Sequence, residues 1–411
     1  MSHVLIDNVR IVRPGESIAA GSLLIDGSRI ARLDPSPEEC PPDAARLDGG
    51  GRLLTPGLID VHTHGIHRYQ YESGPEHLLA AAKVLGAYGT TCVVPTIVPM
   101  PGPRLLPQLE QLAKTIPSVA DAHIPGLHLE GPFVALTGAA CRPIAGDVRL
   151  LDEMIAACGG RVTIMSLSPE TPGVLPVIER LCERSIVPFI THTRATPEQT
   201  QAAIDAGARH ATHFYDVYPV PPETEPGARP VGAVEAILAD RRVSVDFIAD
   251  GCHVHPVAIR AAAAAKGYAG IVLVTDSNIG AGLPPGEYDT PWGFRVRVRP
   301  GDGARNVRTN ELAGSALTMN EGIANLLKWL GKGDAGSPAR SGQEDLWQER
   351  AGCCFSADQV WAMGTSNAAR LIGLNSRGRI EPGADADLVL WDDNLRPALT
   401  WVGGRCVYAA A

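Results

Sequence analysis

The 411-residue sequence predicts an α/β protein, a (β/α)8 barrel with a small β-sandwich domain built from both termini. Two observations lead to this prediction. Eight apolar runs recur between residues 58 and 276, and most are followed by a stretch with helical character. Short β-like runs also lie near both ends of the chain. Strands that alternate with helices are typical of a parallel sheet, and eight such units are typical of a closed barrel.

Both ends of the chain have the composition of short β-strands. Near the N-terminus, two β-branched runs flank Asp26-Gly27, a pair suited to a tight hairpin turn. Near the C-terminus, the runs DLVLWD and ALTWV are separated by turn residues. Strands from opposite ends can pair only if the intervening chain is compact and brings the ends together. We therefore predict a sandwich from residues 1–55 and 379–411, and a barrel from residues 56–378.

The eight predicted barrel strands are almost continuously apolar, as expected for a parallel sheet that is buried on both faces. In chain order they are residues 58–62, 91–96, 123–130, 161–170, 187–193, 208–214, 243–250 and 271–276. One later segment breaks the alternation of strands and helices. Residues 331–352 are polar and rich in Gly and Ser, so we predict an exposed insertion there.

Composition excludes several classes of function. The chain has 36 Lys and Arg against 45 Asp and Glu, a formal charge of −9. Nucleic acids and anionic membranes attract clustered Lys and Arg, so neither is an expected partner. Nine scattered cysteines and no secretory signal after Met1 indicate a cytoplasmic protein with free thiols. No apolar run approaches the roughly 18 to 20 residues needed to cross a bilayer.

Most of the predicted barrel strands end in, or lead into, a residue that can bind metal or transfer a proton. The C-terminal strand ends of an α/β barrel share one mouth, where catalysis occurs. Alternation along a strand sends the imidazoles of His62 and His64 to the same face. Imidazole and carboxylate ligands suit zinc or another first-row divalent ion. We therefore interpret one set of residues as a metal site with a catalytic base: His62, His64, Glu130, His192, His213 and Asp276.

Four sequence motifs resemble one known family. They are PGLIDVHTHG (56–65), GLHLEGPF (126–133), IADGCHVHP (248–256) and LAGSALTMNEGIANL (312–326). In combination they resemble the N-acetylglucosamine-6-phosphate deacetylase family of the amidohydrolase superfamily, and the resemblance runs from about residue 4 to 408. It implies a metal-dependent hydrolase that cleaves the N-acetyl amide of an amino sugar, and a homodimer.

The resemblance also implies roles for individual residues. Glu130, His192 and His213 match the family's principal metal ligands. Asp276 matches the catalytic aspartate, the general base that activates water and then protonates the leaving amine, and His253 matches a histidine that contacts substrate. The cofactor implied is one or two divalent ions, and zinc is expected. A bound metal ion would serve the reaction by lowering the pKa of the attacking water.

His62 and His64 bear on the number of metal ions. Some members of the family lack this histidine pair and hold one metal. This chain keeps both histidines. A second ion, with Glu130 as the bridging ligand, is therefore compatible with the sequence.

The chain departs from the family where the family binds the sugar phosphate. Asp216 stands in place of an asparagine and Thr224 in place of an arginine. A carboxylate repels a phosphate, and losing an arginine removes a bidentate partner. Where the family has a histidine that contacts the reacting carbonyl, this chain has Ala140, Cys141 or Arg142. We hypothesise a substrate that lacks the 6-phosphate, unless Arg194 or Arg229 replaces the missing arginine.

Four other functions are conceivable on the same scaffold, and three of them are disfavoured. The first is deacylation of an N-acyl amino acid or another small amide. The second is deamination, which is less favoured because the glutamate ligand on the third strand is typical of the deacetylases. A cyclic amidase is disfavoured because the fourth strand has no lysine to carboxylate. A non-catalytic binding protein is disfavoured because all the metal ligands and the base persist.

Overall fold

The computed structural model describes residues 3–138, 142–332 and 355–410. Most of the predicted insertion at 331–352, and the candidate residue Cys141, lie outside the described residues. The strands of the described chain, numbered in order, are β1 (His3–Arg13), β2 (Ser17–Asp26), β3 (Arg29–Leu33), β4 (Ala45–Pro56), β5 (Leu58–Thr63), β6 (Gly65–Ile66), β7 (Tyr69–Gln70), β8 (Thr90–Ile97), β9 (Leu127–Glu130), β10 (Val162–Leu167), β11 (Val187–Ile190), β12 (His210–Ala211), β13 (Ser244–Ile248), β14 (Ile271–Val274), β15 (Gly286–Asp289), β16 (Arg295–Arg299), β17 (Gly303–Asn306), β18 (Leu388–Trp391), β19 (Pro397–Val402) and β20 (Arg405–Ala409).

The α-helices of the same residues follow most of the barrel strands. They are α1 (Pro75–Leu85), α2 (Leu105–Thr115), α3 (Val148–Ala157), α4 (Val174–Glu183), α5 (Pro197–Ala206), α6 (Ala233–Ala239), α7 (Pro256–Lys266), α8 (Met319–Leu330), α9 (Ala357–Met363) and α10 (Ser366–Leu371). Their apolar sides contribute to the large core that surrounds the barrel sheet. Among the described residues, no helix is long and apolar enough to span a membrane.

The barrel is an eight-stranded parallel sheet in the order β14-β13-β12-β11-β10-β9-β8-β5. Each strand coincides with one of the eight apolar runs, so the predicted (β/α)8 barrel is confirmed. Contacts between the first and last strands close the sheet. The amide of Asp276 donates to the carbonyl of His62 at 2.8 Å, and the Thr275 hydroxyl donates to the buried Asp60 carboxylate at 2.6 Å. Closure therefore brings two predicted site residues together.

The terminal strands pair as predicted. They form one seven-stranded sheet in the order β20-β19-β18-β4-β1-β2-β3. Gly27, at φ +57°, lies in the tight turn that joins β2 to β3, as the Asp26-Gly27 pair predicts. Side chains from six of the seven strands pack into a core separate from that of the barrel. The structure thus has a separate β domain, and the exact domain boundaries stay a prediction.

Trp391 joins the two cores. It lies on β18 of the terminal sheet, yet its fully buried indole packs into the core of the barrel, with its ring centroid 5.2 Å from that of Trp361. Its Nε1 donates to the Thr55 hydroxyl at 2.8 Å. A Cβ at Gly89 would lie 2.6 Å from the indole, so a glycine is required opposite it. The indole therefore fills a shaped space between the domains.

Trp391→Ala is expected to destabilise the protein by about 3 to 5 kcal/mol, the range for truncating a buried tryptophan, because it leaves a cavity and removes a buried hydrogen bond to the Thr55 hydroxyl. Urea unfolding monitored by circular dichroism measures this change. Val257→Ala, at an exposed position, is the control and is expected to change stability by less than about 0.5 kcal/mol. Equal stability of the two variants would show that the tryptophan does not join the domains.

A three-stranded antiparallel sheet, β15-β16-β17, was not predicted. It follows the last barrel strand and has its own small core, formed mainly by Tyr288, Val296, Val298 and Ala304. The alternating RVRVR of β16, exposed and buried in turn, is the signal that could have revealed it. We call residues 286–306 the hairpin sheet. It matters for function because the turn between β15 and β16 carries Trp292 to the mouth of the barrel.

Candidate active site

The predicted metal-site residues meet at one mouth of the barrel. His62 lies near the end of β5 and His64 just beyond it, while Glu130 is the last residue of β9. The other three follow the ends of β11, β12 and β14 by two residues each: His192, His213 and Asp276. All six are buried. The sequence positions span more than 200 residues, and the barrel alone brings them together.

Three of these residues have a left-handed backbone. The φ values are +46° for His192, +34° for His213 and +46° for Asp276. Residues other than glycine adopt this region at a cost of order 1 to 3 kcal/mol, and such strain is concentrated at functional sites. At all three positions the chain turns sharply just after a strand, and the side chain lines the mouth of the barrel. The repetition indicates that the fold stores strain in order to hold these side chains in place.

Glu130 is at the centre of the cluster. Its Oε1 lies 3.1 Å from Nε2 of His213 and 3.2 Å from Nε2 of His192. The same oxygen is 3.6 Å from Nε2 of His62, and Oε2 is 3.2 Å from Nε2 of His64. Four imidazoles thus direct the same ring nitrogen at one buried carboxylate. No single carboxylate needs four imidazole partners for hydrogen bonding alone.

Asp276 extends the cluster on the side of the histidine pair. Its Oδ1 lies 3.3 Å from Nε2 of His62 and 3.2 Å from Nε2 of His64. Several buried nitrogens in the cluster have no hydrogen-bond partner among the described residues: Nε2 of His62, Nδ1 of His64 and Nδ1 of His192. Buried polar atoms in a native protein are normally paired, so these atoms indicate a missing partner.

A chain of hydrogen bonds sets the tautomer of His62. The Thr212 hydroxyl donates to Oδ2 of the buried Asp246 at 2.9 Å, and it lies 2.9 Å from Nδ1 of His62. A hydroxyl has one proton, so it must accept the second bond from Nδ1–H of the ring. Nε2 of His62 then carries a lone pair directed at Glu130 and Asp276. Partners of this kind typically orient histidine ligands of metals.

Asp246 also fixes His213. Its Oδ1 accepts a hydrogen bond from the His213 amide, next to the strained φ of that residue. Nδ1 of His213 lies 3.3 Å from the carbonyl oxygen of Asp216, which can only accept. In its neutral form, the His213 ring therefore also presents a lone pair on Nε2 to Glu130. One buried aspartate thus orients two candidate ligands.

The electrostatics of the cluster require positive charge. Burial raises the pKa of Glu130, but the surrounding histidines hold it well below its usual range. The pKa of Asp276 is likewise lowered against burial by His62 and His64. Burial lowers the pKa of His213, and Glu130 then raises it to about 10. Two buried carboxylates therefore stay ionised and attract cations, either protons on the imidazoles or a metal ion.

The residues fit a divalent metal ion. Two groups of buried donors have all their ligand atoms within 4.8 Å of one another, His62 with Glu130 and His213, and His62 with His64 and Asp276. Their nitrogen and oxygen donors suit zinc-like ions. His192 adds a further nitrogen near Glu130. Nε2 of His62, which is directed at both carboxylates but lacks a hydrogen-bond partner in the described part of the chain, and the two ionised carboxylates therefore fit the donor set of a metal ion.

The cluster opens into a cavity. Its described lining includes His64, Glu130, His192, His213 and Asp276, together with Val98, Gly138, Asp216, Val217, His253, Trp292, Leu312 and Gly314. Nδ1 of His253 lies 2.7 Å from Oδ2 of Asp250, and this carboxylate raises the pKa of His253 against the effect of burial. Because Nδ1 is occupied, His253 can present only Nε2 to a bound molecule. His253 and Asp216 therefore lie where a substrate would be bound.

The other predicted substrate contacts lie elsewhere. Thr224, Arg142 and Arg194 are exposed and do not line the cavity. Arg229 has a side chain that is 83% exposed and pairs with Glu235 at 3.1 Å. The structure therefore does not bring these four residues to the described part of the cavity, and their roles stay predictions. Cys141 lies outside the described residues.

Four residues of functional interest were not predicted. Thr212 and Asp246 orient candidate ligands, Trp292 lines the cavity mouth, and Glu72 accepts a hydrogen bond from Trp292. Asp246 had a sequence signal, because an acidic residue inside the apolar run VSVDFI needs a buried partner. Trp292 had no comparable signal, since one aromatic residue in a Pro- and Gly-containing turn gives no indication of what it faces.

Known proteins resemble this chain over nearly its whole length. N-acetylglucosamine-6-phosphate deacetylase of Lysinibacillus sphaericus is 29% identical over 366 residues, 88% of this chain and 87% of the relative. N-acetylgalactosamine-6-phosphate deacetylase of Escherichia coli O157:H7 is 28% identical and covers 92% of each chain. Among solved structures, a variant of the N-acetyl-D-glucosamine-6-phosphate deacetylase of Mycobacterium smegmatis, in complex with N-acetyl-D-glucosamine-6-phosphate, has a TM-score of 0.81 at 26% identity, with 99% and 100% coverage.

These similarities confirm the resemblance predicted from the motifs. Residues 53–407 also match the family model described as the amidohydrolase family. That span begins just before the first barrel strand and ends within the last strand of the terminal sheet. Members of this family are metal-dependent hydrolases that act on carbon–nitrogen bonds, in agreement with the donor groups at the barrel mouth. The chain belongs to the amidohydrolase family.

Proposed function

We propose that this enzyme hydrolyses the N-acetyl amide of an amino sugar and releases acetate and the free amine. The observation that carries the proposal is the position of Asp276. Its carboxylate lies within 3.3 Å of two imidazoles of the metal-type cluster and also faces the cavity. Relatives named for the same reaction on phosphorylated amino sugars support the choice of amide.

The proposed chemistry assigns a task to each group. A divalent ion held by the cluster would make water more acidic and polarise the amide carbonyl. Asp276 accepts a proton from the attacking water and returns it to the departing amine, as general base and then general acid. His253, oriented by Asp250, donates through Nε2 to an oxygen of the substrate. Glu130, His192 and His213, with His62 and His64, hold the ion.

The charge of the cavity bears on which amino sugar is bound. Three carboxylates face the described part of the cavity, those of Glu130, Asp216 and Asp276, and no Lys or Arg lines it there. Asp216 is not one of the donors that converge on the metal-type cluster, so no ion there would neutralise it directly. A phosphate near this carboxylate is electrostatically disfavoured. We therefore propose a non-phosphorylated N-acetyl amino sugar as the preferred substrate.

Wild-type enzyme is expected to have a kcat/KM for N-acetylglucosamine at least about 10-fold above that for its 6-phosphate, since like charges placed together cost several kcal/mol. Asp216→Asn is expected to shift that ratio by about 10-fold towards the phosphorylated sugar. Asp289→Asn removes the same charge from a side chain that is 92% exposed and does not line the described part of the cavity, so it should leave the ratio unchanged. Efficient turnover of the 6-phosphate alone would disprove the preference for a neutral substrate.

The remaining assignments follow the family resemblance. We propose zinc as the ion because imidazole nitrogens dominate the donor set. We propose a second ion because His62 and His64 add nitrogen donors to those of His192 and His213, and the two oxygens of Glu130 contact both sets and could bridge the ions. We also propose a homodimer in the cytoplasm, which the resemblance and the scattered cysteines favour. Metal analysis of the purified protein and light scattering test the first three of these proposals directly.

A further inference from the structure

A small apolar wall lines the cavity mouth beside His64. Val98, Val134 and Trp292 form a separate apolar cluster, and Val98 and Trp292 face the cavity. Trp292 comes from the turn of the hairpin sheet, and its ring centroid lies 5.4 Å from that of His64, edge to face at 78°. The wall therefore lies directly beside the candidate metal ligands.

Glu72 holds this wall in place. Its Oε2 accepts a hydrogen bond from Nε1 of Trp292 at 2.6 Å, and its Oε1 accepts one from the Val98 amide at 2.5 Å. The carbonyl of Glu72 is fixed in turn by the side chain of Gln108 at 2.8 Å. One carboxylate thus ties a turn of the hairpin sheet to the end of a barrel strand. Because the only polar atom of the indole is occupied, Trp292 presents only carbon to the cavity.

A carbon surface beside the reacting group suits one part of the substrate. Nε2 of His64 lies 3.2 Å from Oδ1 of Asp276, the proposed general base. Since Trp292 packs beside His64, the carbonyl attacked by the water that Asp276 activates lies near the wall. The hydroxyl groups of a sugar would lose hydrogen bonds against such a wall, whereas the hydrocarbon of an acyl group gains from burial there. We propose that Val98 and Trp292 receive the hydrocarbon of the N-acyl group and that Trp292 limits its length to acetyl. This inference rests on the proposed deacylase function.

Trp292→Ala is expected to admit longer acyl groups. One methylene in an apolar pocket changes kcat/KM by roughly 10- to 200-fold. Wild-type enzyme should therefore prefer N-acetyl over N-butyryl glucosamine, and Trp292→Ala should raise the butyryl-to-acetyl ratio by at least about 10-fold. Trp292→Phe should stay close to wild type, because it keeps an aromatic surface. Arg295→Ala, at an exposed position on the same hairpin sheet, is the control.

The outcomes separate this inference from the proposed function. If the Trp292→Ala ratio equals that of wild type while both rates fall together, the wall contacts the sugar and the inference is wrong. If wild type hydrolyses no N-acyl glucosamine, the deacylase proposal fails. The role of Trp292 is then tested by calorimetric titration, which compares the affinities for N-acetyl and N-butyryl glucosamine. Equal relative affinities in wild type and Trp292→Ala would contradict the inference in that case as well.

Discussion

Asp276→Asn is expected to lower kcat by about 10²- to 10⁴-fold, the contribution of a well-placed general acid and base. The amide of asparagine has nearly the same size and can still direct an oxygen at His62 and His64. It cannot accept a proton from water at neutral pH. Acetate release measured with saturating substrate reports the loss. The strained backbone at φ +46° is compatible with asparagine, which tolerates this region well, so the fold should persist.

Two measurements distinguish lost chemistry from lost structure in this variant. Metal content and thermal midpoint should both stay near the wild-type values, because Glu130 and the histidines are unchanged and asparagine keeps an oxygen donor beside His62 and His64. Asp289→Asn is the matched control on an exposed site and should retain full activity. A variant at Asp276 that keeps more than about a tenth of wild-type kcat would rule out its role as the proton carrier.

Removal of metal is expected to abolish activity and to destabilise the protein. A ligand present at 1,000 times its Kd stabilises the folded state by about 4 kcal/mol, and this contribution disappears on dialysis against a chelator. The buried carboxylates of Glu130 and Asp276 would then be balanced only by protonated histidines. Adding back zinc should restore both activity and the thermal midpoint. These changes are followed by acetate release and by calorimetric melting.

Glu130→Ala tests the same site by removing a candidate metal ligand instead of the metal. Nε2 atoms of four histidines lie within 3.6 Å of this carboxylate, so its loss removes the one donor they share. Zinc should no longer restore activity to the chelated variant. Glu153→Ala, on the barrel helix α3 and away from the cavity, serves as the control. Full recovery of Glu130→Ala with zinc would show that this glutamate is not a ligand.

The barrel could be predicted because its signals are local and repeated. Each of the eight apolar runs coincides with a strand, and the runs near the termini pair as the turn at Gly27 indicates. The hairpin sheet was missed because its strands are short and its apolar residues are few. Trp391, which belongs to the terminal sheet by sequence, packs into the barrel core. The packing of Trp391 into the barrel core depends on the space left opposite Gly89, and no local sequence pattern reveals that space.

The identity of the metal-site residues could be predicted, but their geometry could not. Histidines and carboxylates after apolar runs gave a set that the closed barrel brings together. The left-handed backbone of His192, His213 and Asp276 was not predictable, because it is imposed by packing against the preference of each residue. Predictions of substrate contacts were weaker. Asp216 and His253 line the cavity, whereas Arg229 is exposed on a loop whose course depends on tertiary contacts.

The most direct test of the account is acetate release from N-acetylglucosamine by the zinc-loaded protein and by its Asp276→Asn variant, measured side by side by proton NMR. The account predicts one acetate and one free amino sugar per molecule consumed by wild type, with the rate reduced by about 10²-fold or more in the variant. No acetate from either protein, or equal rates from both, would contradict the assignment of this cluster as the site of amide hydrolysis.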